Sequence, residues 1–270
     1  MKKKLLGLPY YLWCLIFILA PLCMVFYYGL TDKNGIFTFQ NVSAISSPEH
    51  LKALLLALVL SLIATFICLL LSYPLSMILC GMKKGQNSLM VFIFILPMWM
   101  NFLLRTLAWQ TLLEKTGVIN NILSFLHLPE LVIINTPYAI VLGMVYNFLP
   151  FMVLPIYNSL AKIDENVIQA ARDLGANSIQ VFLHITLPLS TPGIISGITM
   201  VFVPALTTFV ISKLLGGSKI LLIGNVIEEE FTQASNWHLG SGLSIVLMVF
   251  ILINMLMTAI FDKNGEGTSL

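Results

Sequence analysis

Charge is what this chain lacks. Of its 270 residues only 10% are Asp, Glu, Lys or Arg, against about 25% in an ordinary soluble domain. A soluble fold of this length can bury a sizeable core, but it still needs a charged exterior. With 58% hydrophobic residues and a mean hydropathy of +0.94, the chain cannot supply one, so lipid must cover much of it. The net charge of +2 is too small to imply a nucleic-acid partner. Cysteine is scarce as well. Cys14, Cys23, Cys68 and Cys80 lie in or beside apolar runs, none at zinc-type spacing. His50, His127, His184 and His238 are scattered. No metal site and no cofactor are expected. There is no G-x-x-x-x-G-K-[ST] motif, and Gly216-Gly-Ser-Lys219 is too short to cradle phosphates. No Ser/His/Asp or paired-carboxylate arrangement suggests an enzyme. No Asp or Glu lies inside an apolar run, which argues against an ion-coupled transporter.

What is present is a series of long apolar runs. A membrane-spanning helix needs about 20 mainly apolar residues. Six stretches qualify, at 8–30, 51–81, 88–113, 136–160, 188–212 and 241–261. None alternates as a barrel strand would, so the fold class is an all-α membrane protein with six transmembrane helices in a single domain, 1–270. The first run is too long for a signal-peptide core and no clear cleavage site follows, so it reads as an uncleaved helix. Basic residues set the orientation. With both termini on one side, that side holds Lys2, Lys3, Lys4, Lys83, Lys84, Lys162, Arg172 and Lys263. The other holds Lys33, Lys52, Lys115, Lys213 and Lys219. The bias puts both termini in the cytoplasm, with a tight inner turn at Gly81, Gly85 and Asn87.

The cytoplasmic segment 161–187 is patterned. Ile163, Val167, Ala170, Ala171 and Leu174 recur at helical spacing and form one apolar face. Asp164 can cap the helix start, and Gly175 can end it in a left-handed conformation. Asn177 or Ser178 can cap a second short helix, and Pro188 suits the first turn of the fifth span. The segment therefore reads as helix–Gly–helix, either docking on another surface or lying on the membrane as a connector.

The spacing of Gln169-Ala-Ala-Arg-Asp-Leu-Gly175 and then Ile185-Thr-Leu-Pro188 resembles the EAA loop of bacterial ABC importer permeases. That resemblance implies a type I importer permease (MetI-like) fold in the bacterial inner membrane. It also implies that Gln169, Ala170, Ala171, Asp173 and Gly175 couple to an ATPase. Gln169 stands where the family usually has Glu, removing a charge from that contact. Leu96-Pro-Met-Trp-Met-Asn-Phe-Leu-Leu-Arg105, Val145-Tyr-Asn-Phe-Leu-Pro-Phe-Met-Val-Leu-Pro-Ile-Tyr157 and Leu214-Leu-Gly-Gly-Ser-Lys-Ile-Leu-Leu-Ile-Gly-Asn-Val-Ile227 are similar to the permease family of spermidine/putrescine transport systems. Val203-Pro-Ala-Leu-Thr-Thr-Phe209 lacks a Gly that many relatives carry before the Phe. The partners implied are a second homologous permease, two copies of a cytoplasmic ATPase, an extracytoplasmic polyamine-binding protein and the lipid bilayer. The alternatives are a permease of the same kind for thiamine, iron or an anion, or a secondary transporter.

Trp99, Asn101, Tyr146, Asn147 and Phe209 are candidates for the substrate path, because aromatic faces attract ammonium groups; packing and interfacial anchoring are the plainer roles. Arg105 lies about 25 Å along a straight helix from Ser88 at 1.5 Å per residue. It would snorkel at the outer interface, pair with an outer-loop carboxylate, or gate. Glu228, Glu229 and Glu230 form either a solvated acidic surface or a mouth that concentrates a polycation. The topology can be tested with fusions. A reporter after Arg172 is expected in the cytoplasm and one after Lys219 outside. An outward reporter at Arg172 would remove the loop from any ATPase.

Overall fold

The computed structural model describes residues 8–82 and 86–266. Lys2, Lys3, Lys4, Lys83, Lys84 and Gly85, on which part of the charge bias and the inner turn rest, lie outside the described residues. Helix α1 is built from Leu8–Cys14, a π-helical Leu15–Leu19 and Ala20–Gly29. Helix α2 is Pro48–Gly81, begun by Ser47 as N-cap with Pro48 and Glu49 in the first turn, three features that favour a helix start. Helix α3, Gln86–Ile95, tightens into a 3-10 turn, Leu96–Trp99. Helices α4 (Phe102–Leu113), α5 (Val118–Phe125) and α6 (Pro137–Leu160) follow. The short α7 is Glu165–Asp173. Helix α8 is Ser178–Thr207, then come α9 (Val210–Leu215), α10 (Ile223–Thr232) and α11 (Trp237–Glu266).

The core is the packing of α2, α6 and α8 on one another. Small residues let them approach closely. Cys68, Ser76 and Cys80 of α2 donate to the carbonyls of Val145, Val153 and Tyr157 at 3.8, 3.2 and 3.7 Å. The sequence offset is 77 in each pair, so α2 and α6 run parallel. Two of the scarce cysteines are thus part of the helix–helix seam. On the other side of α6, Gly193 and Gly197 of α8 sit against Pro155 and Met152.

Among the described residues five helices are long and apolar enough to cross a membrane unbroken: Leu12–Gly29, Pro48–Gly81, Pro137–Leu160, Ser178–Thr207 and Trp237–Thr258. The run expected at 88–113 is not straight. Leu89–Trp99 and Phe102–Phe125 meet at 89°. Two cavities fix which ends lie together. Met77 and Gly81 share one with Ile163, Arg172 and Ser178. Glu49 shares the other with Pro137 and Lys219. The chain therefore leaves one end of the bundle at Gln86 and has reached the opposite end by Pro137. The bent pair is a broken crossing, not a loop that returns to its own side. Among the described residues six crossings result, and α1 begins and α11 finishes at the end that carries α7.

A further difference concerns the fifth span. The second short helix of segment 161–187 is not separate from it. A π-helical turn, Phe182–Thr186, carries it into Leu187–Thr207 without interruption. Pro188 has no N–H to return to the carbonyl of His184, and the wider π turn absorbs that loss.

The close approach of α6 and α8 is open to test. A Cβ at Gly193 would lie 2.6 Å from both the carbonyl oxygen of Pro155 and the Cβ of Ser159. Gly193→Val should lower stability by about 1–3 kcal/mol, the usual range for overpacking. Thermal unfolding in detergent would show it, with Gly81→Ala, whose Cβ meets nothing within 4 Å, expected to be near neutral.

Candidate functional site

The end of the bundle bearing α7 presents a helix held off the core. Asp164 caps α7, its carboxylate accepting from Asn166 N at 2.9 Å. At the other terminus Gly175 has φ +86°. Ala176 N donates to Ala171 O at 3.0 Å and Gly175 N to Arg172 O at 2.9 Å. These two bonds are a complete Schellman motif, which needs a left-handed residue at the position Gly175 holds. Gln169, Ala170, Asp173 and Gly175 are exposed and Ala171 is half-buried. Of the apolar face, Val167 and Leu174 are exposed, Leu174 at 90%. Ile168, which the periodicity left out, turns with Ile163 toward the bundle and lines a cavity of about 460 Å³. The free apolar side of α7 thus points away from the rest of the chain.

Asn177 then starts α8. Its side chain accepts from Gln180 N at 2.9 Å while Gln180 Oε1 accepts from Asn177 N at 2.8 Å. Just beyond the π turn, the Tyr73 hydroxyl and Ser190 Oγ of α2 and α8 share a buried hydrogen bond of 2.8 Å. The Tyr73 ring meets Phe182 edge-on at 5.6 Å. Sequence reasoning missed this contact, because a Tyr beside Pro74 in an apolar run reads as packing.

The broken third crossing carries two of the residues proposed for a path, Trp99 and Asn101, and packs against two more, Tyr146 and Asn147 of α6. Pro97 opens the 3-10 turn, and Asn101 restarts the helix with its Oδ1 accepting from Leu103 N (2.9 Å) and Leu104 N (3.3 Å). One side-chain acceptor of Asn101 is therefore committed to structure. Trp99 is 77% exposed and stacks edge-on with Phe92. Tyr146 lies edge-on to Trp109 at 5.2 Å. Asn147 is buried, donating to Gly143 O at 2.9 Å and Thr106 Oγ1 at 3.5 Å, with its Oδ1 unpartnered.

Arg105 differs from expectation. It neither snorkels into open space nor pairs with an outer-loop carboxylate. It is only 6% exposed, and its Nε and Nη1 have no hydrogen-bond partner among the described residues. The straight-helix depth does not apply either. Gln86–Trp99 rises roughly 21 Å at 1.5 Å per residue before the bend, short of a hydrocarbon core of about 30 Å.

At the opposite end, α8 stops and the chain turns at Thr208 and Phe209. Asn225, buried in α10, holds this turn. Its Nδ2 donates to Phe209 O at 3.0 Å, and its Oδ1 accepts from Leu222 N at 3.1 Å and from Ser212 Oγ. The only outward signal of that role is an amide placed in the apolar run Leu221–Ile227. Phe209 and Glu228 face one cavity of about 440 Å³ with Ile227, Phe231 and Leu247. Glu228 is paired with Lys213 at 3.2 Å. Glu229 and Glu230 line a different cavity, about 420 Å³, with Glu49, Lys52 and Lys219. The three glutamates therefore do not converge on one mouth: a helix turns successive side chains by about 100°.

The family model described as "Binding-protein-dependent transport system inner membrane component" matches residues 72–264. The spermidine/putrescine transport system permease protein PotB of Haemophilus influenzae is 37% identical over 250 residues, covering 89% of this chain and 87% of that protein. PotB of Escherichia coli is 36% identical, covering 90% and 92%. Among solved structures, a bacterial ABC transporter that imports the acidic polysaccharide alginate matches with TM-score 0.82 over 97% of this chain and 95% of its own, at 20% identity. The MetNI methionine ABC transporter matches with TM-score 0.58 over 82% and 99%, at 15% identity; at such identities the likeness is one of fold. The broken third crossing, the capped helix at one end of the bundle and these matches agree, and the chain belongs to the family of binding-protein-dependent transport system inner membrane components, with the fold of an ABC importer permease.

Proposed function

We propose that this chain is one permease subunit of an ABC importer for linear polyamines such as spermidine and putrescine. The observation that carries the reading is α7, a short helix fixed by Asp164 and Gly175 with Gln169, Ala170, Asp173 and Leu174 turned to solvent. Small side chains allow a close-fitting groove on an ATPase to receive it. ATP is hydrolysed by two copies of that cytoplasmic subunit, since this chain carries no phosphate-binding loop. A second, homologous permease completes the path, and an extracytoplasmic binding protein delivers the cargo. Both termini lie on the cytoplasmic side with α7.

Polyamine as cargo is supported by the PotB relatives and by the chemistry of the Phe209 cavity. Two aromatic rings, aliphatic walls and one carboxylate suit an alkyl chain ending in an ammonium. Glu228 is shared with Lys213, which weakens its hold on a cation. A carrier gains from that, because an unshared buried ion pair would retain the cargo. Trp99, Asn101, Tyr146 and Asn147 contribute along the broken crossing. ATP-driven closure of the ATPase dimer moves α7, and the bundle alternates between inward and outward access.

The direct test is uptake of labelled spermidine and putrescine by the reconstituted complex. Both, or one strongly, should accumulate only with ATP. Movement of another solute while neither polyamine is carried would overturn the cargo. Coupling is tested separately with Gly175→Val. A side chain in the left-handed region costs about 1–2 kcal/mol, and the Schellman turn would open. Uptake should fall by at least about tenfold while the protein remains in the membrane; full ATP-dependent uptake would reduce the segment to a connector.

A further inference from the structure

Among the described residues Arg105 is the one basic residue buried in the apolar bundle, and none of them gives its Nε or Nη1 a hydrogen-bond partner. Both atoms are enclosed, and the Tyr146 phenol is the side chain's electrostatic neighbour. Among the described residues the ion pairs are Lys115–Glu130 and Lys213–Glu228, and no carboxylate among these residues reaches it. It also sits in the first turn of α4, where the helix dipole is positive and a cation is disfavoured. A lone guanidinium in such a place is strongly unfavourable, and ionised groups inside membranes are as a rule paired. A half-helix N-terminus and a buried guanidinium together make a strong anion-seeking point.

The surface around it is equally unpartnered. Leu96, Trp99, Met100, Leu103 and Leu104 flank the break and are all exposed. Lipid tails could cover these side chains but would leave the charge unmet. Lipid phosphates lie at headgroup level, whereas the bend comes about 21 Å along the crossing, within a core of about 30 Å. A cationic cargo is repelled.

We propose that Arg105 is a socket for a carboxylate of the companion permease, and that the exposed residues around the break are the apolar rim of the interface between the two permeases. This rests on the proposed two-permease assembly. The ionic bond would hold the two chains at the broken crossing, beside Tyr146 and Asn147, and would complete the site only when both are present.

The test uses the whole complex with a tag on this chain. Wild type should retain the companion permease in mild detergent. Arg105→Leu should retain at least about tenfold less, as for a buried pair left with one member, and Arg105→Lys should retain more than Arg105→Leu. Arg105→Glu should be rescued by one Asp→Arg or Glu→Arg change in a membrane segment of the companion. A stability measurement guards against simple misfolding. The isolated Arg105→Leu chain should melt no lower than wild type, because an unpaired buried charge has been removed, while the complex should melt lower. Equal retention by Arg105→Leu, the absence of any rescuing companion site, or a lower melting point of the isolated chain alone would overturn the socket. Loss of bound anionic lipid without loss of the companion would overturn it in favour of lipid. A wild-type complex that holds no companion at all would overturn the two-permease reading and the socket with it.

Discussion

A backbone N–H or C=O left unpaired in hydrocarbon costs several kcal/mol, and that constraint governs every place where this chain leaves a helix. Two amides meet it. Asn101 closes the break in the third crossing by accepting from two backbone N–H groups. Asn225 closes the break after α8 by joining Phe209, Ser212 and Leu222. Outside the hydrocarbon the same need is met by the Schellman turn at Gly175. Three of the residues proposed for the path, Trp99, Asn101 and Phe209, lie where the helices are interrupted, while Tyr146 and Asn147 face the broken crossing from within α6.

Continuous packing of α2, α6 and α8 is what permits those interruptions. Serine and cysteine on one side of α6 and glycine on the other bring the three axes together. Long-range order then rests on the rigid trio, while α3, α4, α9 and α10 are free to be short and bent. Many aliphatic and aromatic side chains of α1, α3 and α11, such as Phe17, Phe92 and Leu256, face outward, as a lipid solvent allows.

Much of this was legible in the residues. Long apolar runs marked the crossings because the solvent demands them, and Asp164, Gly175 and Asn177 announced the helix ends they form. What was not legible depended on tertiary contacts. The break at Pro97 and Asn101 was not foreseen, because hydropathy averaged over 88–113 hides a change of direction. Glu228, Glu229 and Glu230 are adjacent in sequence but diverge on the helix, so their partners follow from which elements pack on each side of α10. Arg105 could be flagged as unusual from hydropathy alone; that it finds no carboxylate in its own chain required the fold.

Under the proposed function, the path from α7 to the Phe209 cavity is mechanical in character. Asn177 caps α8 a few residues after the Gly175 turn, and α8 then continues for 30 residues to Thr207, about 45 Å at 1.5 Å per residue. A displacement of α7 therefore reaches the far end of the bundle through one element. Two features shape the transmission. The π turn and the prolines Pro188, Pro192 and Pro204 relax hydrogen bonding within α8, so it can bend as it moves. The Tyr73–Ser190 hydrogen bond, buried toward the end that carries α7, ties α8 to α2 and sets a point about which it can tilt. A pivot close to the driven end gives the longer arm to the other side. A small movement at the ATPase contact would then become a larger one at Thr208 and Phe209, where Asn225 links α8 to α9 and α10. Under the proposed function, that is where a polyamine held weakly by Phe209 and a shared Glu228 would be gained or released.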